Sequence, residues 1–123
     1  LAALTQPTTQ LLDGGLAGAP VDYAKLVVDG APAPAKAGDG ATIAWGWFAN
    51  LRRGDAVRFR LRDPAGVEVF DNTSAALESS KAAYLALAGL RRPPAPGEWT
   101  VEIDVLRDGS AVLGQTRYVA VAD

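Results

Sequence analysis

Two tryptophans two residues apart, Trp45 and Trp47, are the first residues whose type and spacing could do chemistry. In an extended strand, side chains at i and i+2 share one face about 7 Å apart. If exposed, these indoles would form a platform for stacking on sugar rings or proline-rich peptide. The competing reading makes Ile43, Trp45 and Trp47 a core face, with Ala44, Gly46 and Phe48 opposite. It is favoured because Ile43 shares their side and large indoles are highly buried on average. The arginines come second. Arg58, Arg60 and Arg62 fall on one face of the next alternating segment. Arg52 and Arg53 precede it, and Arg91 and Arg92 lie in a later loop. Such a stripe could hold an anion, for instance a phosphate or carboxylate on a cell-wall polymer. The plainer alternative is a solvated sheet face whose guanidiniums pair across strands with Glu68, Glu102 or Asp104. Trp45, Trp47, Arg58, Arg60 and Arg62 are therefore the candidate ligand-binding residues.

Carboxylates offer a third chemistry. Asp63 and Asp71 flank one hairpin, and Glu98, Glu102 and Asp104 share one segment. Glycoside hydrolysis needs two carboxyls across a cleft, one of raised pKa. Here Asp63 is explained by a turn and the others by outward strand positions, so a carboxylate-only hydrolase ranks last. The chain contains no His and no Cys. That excludes, within this chain, thiol catalysis, Ser–His and Cys–His nucleophile pairs, disulfides and the usual zinc ligand sets. Only carboxylates and carbonyls remain for a metal, which suits Ca²⁺ or Mg²⁺, and the spacing D-x-[DN]-x-[DN]-G does not occur. The expectation is a protein without enzymatic activity, catalytic residues, cofactor or metal.

At 123 residues the chain fits one domain that can bury most of its unfolded surface. Its 49% apolar and 21% charged residues are globular composition, and its net charge of −2 disfavours nucleic acid as a partner. No apolar run approaches the roughly 20 residues of a membrane-spanning helix. Absence of Cys leaves the compartment open. The chain begins at Leu1 and has no Met, so the expectation is a processed protein or an excised piece of a longer one.

The elements that must position these residues follow from periodicity. Thr42–Ala49, Ala56–Asp63 and Glu98–Leu106 alternate with period two, as half-buried antiparallel strands do. In the second, Val57, Phe59 and Leu61 oppose the arginines; in the third, Trp99, Val101, Ile103 and Val105 face in. Asp63-Pro64-Ala65-Gly66 has the residues of a type I turn and joins a hairpin over 56–71. Arg107-Asp108-Gly109-Ser110 carries the Asp-Gly hairpin signal before a return strand over Val112–Val121. Thr8–Leu12 reads as a first strand, Asp13-Gly14-Gly15 as a turn, Pro20–Val28 as a short helix and Ala31–Gly40 as a connector. Ala75–Gly89 is in conflict: alanine content favours helix, whereas alternation in its second half and neighbouring strands favour a strand over Ala82–Ala88. The expected fold is all-β, a sandwich of about seven antiparallel strands of immunoglobulin or fibronectin type III character with one short N-terminal helix. Residues 1–19 form an N-terminal segment, linker plus first strand, and 20–123 the sandwich.

WGWFANLRRGDAVRFRLRDPAGVEVFDNTSA, followed by KAAYLALAGLRRPPAPGEWTVEIDVLRDGSAV, resembles the C-terminal all-β accessory domain of Gram-negative bacterial lysostaphin-like (LytM-type) zinc metallopeptidases. The matched features are the W-x-W strand before a turn ending in Gly-Asp, the arginine strand, the Asp-Pro-x-Gly hairpin, and the A-G-x-R-R-P-P loop before an aromatic-led strand. They cover about residues 20–113. The family's zinc ligands are histidines and an aspartate of its catalytic domain, and none can be carried onto this chain. The resemblance implies a non-catalytic accessory or interaction domain, located in the periplasm or cell envelope or secreted. Its partners would be an upstream catalytic domain, peptidoglycan or a cell-envelope protein. The alternative is a carbohydrate- or peptidoglycan-binding module that uses Trp45 and Trp47 with the arginine stripe.

Overall fold

A computed structural model describes residues 7–123. Seven antiparallel strands and one short helix follow in the order β1 (Gln10–Ala17), α1 (Tyr23–Asp29), β2 (Thr42–Leu51), β3 (Ala56–Arg62), β4 (Glu68–Thr73), β5 (Lys81–Leu90), β6 (Gly97–Arg107) and β7 (Ser110–Val121). They form two sheets, β1-β2-β5 and β4-β3-β6-β7. The expected all-β sandwich, its strand number and the short helix are all present. The Ala-rich stretch is β5, paired residue by residue with β2. Alanine's helix propensity amounts to tenths of a kcal/mol per residue, too little to outweigh a ladder and two-sided packing.

The core lies between the sheets. Val57, Phe59 and Leu61 of β3 and Trp99, Val101, Ile103 and Val105 of β6 meet Leu11, Leu16, Ala44, Phe48, Leu51 and Ala86 of the other sheet. One face is reversed from expectation. In β2 the inward side chains are Thr42, Ala44 and Phe48, whereas Ile43, Trp45 and Trp47 lie on the outer face of the three-stranded sheet. Trp45 is nevertheless buried, in a second cluster with Ala17 and Leu26, against which Val21, Trp47 and Leu85 pack. Leu26, the buried residue of α1, is what covers it. The helix is held by Asp22 at its N-cap, whose Oδ1 accepts from the Ala24 N–H at 2.9 Å, and ends at Gly30, φ 83°. Seven residues are too few to be helical alone, so the Leu26–Trp45 contact and the cap stabilise the turn together.

Asp13-Gly14-Gly15 is strand rather than turn. β1 runs through it with an irregularity between Leu11 and Asp13. These glycines serve packing, not chain reversal. A Cβ on Gly14 would stand 2.8 Å from Ile103 Cδ1 of the opposite sheet, and one on Gly15 would touch the Trp45 ring. β1 thus brings Leu11 and Leu16 into the core, so the sandwich takes in part of the segment 1–19; residues 1–6 of that segment lie outside the described residues. The connector after α1 is clipped to both sheets, by Ala35 N–H to Leu16 O at 3.0 Å and Ala37 N–H to Ala122 O at 2.9 Å. Both hairpin turns form as expected. Gly66 N–H donates to Asp63 O, and Asp63 Oδ1 accepts from Ala65 and Val67. Asp108 and Gly109 both have positive φ, 53° and 81°, the backbone an Asp-Gly two-residue loop requires.

Candidate functional site

The two indoles do not form an exposed platform. Trp45 is 3% exposed, and Trp47 is half-buried with its Nε1 out of reach of both water and any protein acceptor. Trp45 does line a groove of about 350 Å³ between β1, β7 and the connector, together with Asp13, Pro32, Pro34 and Tyr118. Tyr118 is 67% exposed. Sequence reasoning passed over it because it sits on a strand of weak pattern whose place in the sheet only the topology shows.

The arginine stripe lies on the outer face of the four-stranded sheet, and cross-strand register decides its chemistry. Arg58 stands opposite Asp104, Arg60 opposite Glu102 and Asp71, and Arg62 opposite Glu68. Apart from Arg60 and Glu102, which face each other directly, the pairs form diagonally. Arg58 grips Asp71 through two bonds, Nε to Oδ1 at 2.8 Å and Nη2 to Oδ2 at 2.6 Å. Arg60 spans Glu102 and Asp104, and Arg62 Nη1 donates to Glu102 Oε1 at 2.9 Å. Arg60 Nε and Glu102 Oε2 are 2.9 Å apart but misaligned for an N–H···O bond, so that contact is ionic only. The Arg58 hydrogen bond holds the Asp71 carboxyl below the usual carboxylate range, and Asp71 in turn raises Arg58. Three arginines and three carboxylates thus neutralise one another. The same pairing engages Asp71, Glu102 and Asp104, and Asp63 is occupied by its turn.

The most elaborate polar site is one the sequence did not single out. Asp55, just before β3, is fully buried. Its Oδ1 accepts from Arg107 Nε at 2.9 Å, and its Oδ2 from Arg107 Nη2 and the Arg52 N–H, both at 2.8 Å. Arg107 Nη2 also donates to Thr9 Oγ1, and the Leu77 N–H donates to Asp55 O. Burial pushes the Asp55 carboxyl up. The Arg107 hydrogen bond, the Arg52 backbone donor and the charges of both arginines outweigh that and hold it below its ordinary value. Asp55 thereby ties together the β2–β3 turn, the end of β6, the residues before β1 and the loop before β5. Its partner is 52 residues away, so the short spacing Arg-Arg-Gly-Asp gives no sign of it.

No protein-family model and no curated protein matches the chain. Two solved structures of Parabacteroides merdae β-glucuronidase, one with glycerol in its active site, are similar to it in fold, each with a TM-score of 0.56. The alignments cover 92% of this chain at 11% and 12% identity, and 14% and 13% of that enzyme's chain. At such identity the likeness shows a shared β-sandwich architecture. The chain matches only about a seventh of the enzyme's length.

Proposed function

We propose that this chain is a non-catalytic β-sandwich module of a secreted cell-envelope peptidase, working through packing and surface contacts. The observation that carries the reading is the closed charge ladder on β3, β4 and β6. The charged side chains of that sheet face, three arginines and three carboxylates, are satisfied by one another. The strand order β1-β2-β5 over β4-β3-β6-β7 supports reading the module as a sandwich of fibronectin type III character. No helix among the described residues is long and apolar enough to cross a membrane. The reading frame read upstream from the Leu1 codon should encode a histidine-bearing zinc peptidase domain. A frame that starts at Leu1, or an unrelated neighbour, would remove the proposal.

A second reading, a carbohydrate- or peptidoglycan-binding module, is favoured by the groove that Trp45 and Tyr118 both line. It moves the contact from the Trp45–Trp47 pair with the arginine stripe to Trp45 and Tyr118. Co-sedimentation with purified peptidoglycan should then be lost in Tyr118→Ala and kept in Arg60→Gln. No sedimentation of the wild-type chain would dismiss it.

A further inference from the structure

Arg52 and Arg53 in the β2–β3 turn and Lys81 at the start of β5 form no ion pair among the described residues. The fold brings them together. Lys81 stands opposite Leu51 in the β2–β5 register, and the Arg53 N–H donates to Ser80 Oγ at 3.0 Å. Between them opens a cavity of about 210 Å³ lined by Asn50, Arg52, Ser80, Lys81 and apolar neighbours, with no acidic residue in its wall. Asp55, which accepts from the Arg52 N–H, has its carboxylate committed to Arg107; Glu78 is exposed on the adjoining loop. Arg52 Nε is buried without an acceptor among the described residues. Asn50, also in the wall, is held at φ 60° by Nδ2 donating to Thr8 O and by its own carbonyl accepting from Thr9 Oγ1.

We infer that the cavity bounded by Arg52, Ser80 and Lys81 is a binding site for an oxyanion group, a carboxylate or phosphate carried by a partner molecule. Arg52 supplies a planar fork, Lys81 a mobile point charge. The Ser80 hydroxyl, whose oxygen already accepts from Arg53, keeps its proton to donate. The site is separate from the Arg58–Arg60–Arg62 ladder, where carboxylates of the chain already occupy the guanidiniums. It also stands whether or not the chain belongs to a peptidase.

The test uses the full chain labelled with ¹⁵N. Sodium phosphate and sodium acetate are titrated separately, with sodium chloride holding ionic strength constant. Saturable amide shifts centred on Arg53, Ser80 and Lys81 are expected. A response to phosphate alone marks a phosphate-bearing partner, to acetate alone a carboxylate-bearing one, and to both a general oxyanion site. Arg52→Gln and Lys81→Gln should each weaken binding at least about tenfold, the change that losing one charge-assisted hydrogen bond implies. Arg91→Gln, beyond the opposite end of β5, should leave it unchanged. Shifts that never saturate, that chloride reproduces, or that keep their affinity in Lys81→Gln would overturn the site. Lys81 is exposed and outside the core, so that variant decides the matter even if Arg52→Gln fails to fold.

Discussion

Removing the Arg107 guanidinium should do more damage than removing the Asp55 charge, because the two ends of this ion pair are unequally buried. Asp55 has no accessible side-chain surface, whereas Arg107 is 22% exposed. In Arg107→Ala the carboxylate keeps the Arg52 N–H but loses both guanidinium bonds. Stranding one partner of a buried pair costs about 3–5 kcal/mol. The partial exposure of Arg107 places this pair near the lower end, about 3 kcal/mol. For a chain of this length that is a fall in Tm of about 10–15 °C. In Asp55→Asn the freed guanidinium can turn to water, and the cost should be about 2 kcal/mol.

The dependence on pH separates charge from packing. In the wild type the Asp55 pKa is depressed, so between the folded and unfolded values the unfolded chain binds more protons. The stabilisation is complete above the unfolded value of about 3.9 and disappears as pH falls through the lower folded value. In Arg107→Ala, burial is left largely unopposed and the carboxyl moves up instead. The folded state then binds the extra proton, and acid favours it. The stability gap between wild type and Arg107→Ala should therefore shrink from pH 7 to pH 3, while the other carboxylates largely cancel in the difference. Urea denaturation at both pH values measures the gap. A gap that stays constant would refute the electrostatic account and leave Arg107 acting through its packing or through Thr9.

Leu26→Ala should cost about 2–3 kcal/mol and uncover Trp45, seen as a red-shifted, more quenchable emission with the far-UV β signal retained. Gly89→Ala should destabilise by about 1–3 kcal/mol, because its Cβ would fall 2.7 Å from Thr42 O and closer still to the Ile43 side chain; thermal melts read it directly. Gly109→Ala has open space around it but a positive φ, so its cost, about 1–2 kcal/mol, comes from backbone strain alone. Asp108→Asn, which turns the loop into an Asn-Gly pair and keeps Gly109, should leave the melt unchanged.

Much of this molecule was legible in the chain because alternation is a local property. Val57, Phe59 and Leu61 against Arg58, Arg60 and Arg62 allow one arrangement: apolar side inward, arginines outward. Turn chemistry is equally local, which is why Asp63-Pro64-Ala65-Gly66 and Asp108-Gly109 form where their residues place them. What the sequence alone could not decide is everything that depends on a neighbour. β2 is apolar on both faces, so period two identifies its faces without saying which one meets the second sheet. That was settled by α1, which gives Trp45 a cover on the outside. Gly14 and Gly15 look like a turn in one dimension; in three they make room for Ile103 and Trp45. The absence of His and Cys removes whole classes of catalysis from the chain at once. The neutralisation of the arginine stripe by Asp71, Glu102 and Asp104, and the burial of Asp55 against a guanidinium 52 residues away, required strand order and register. Charge pairing is a relation between surfaces, and only the folded chain says which surfaces meet.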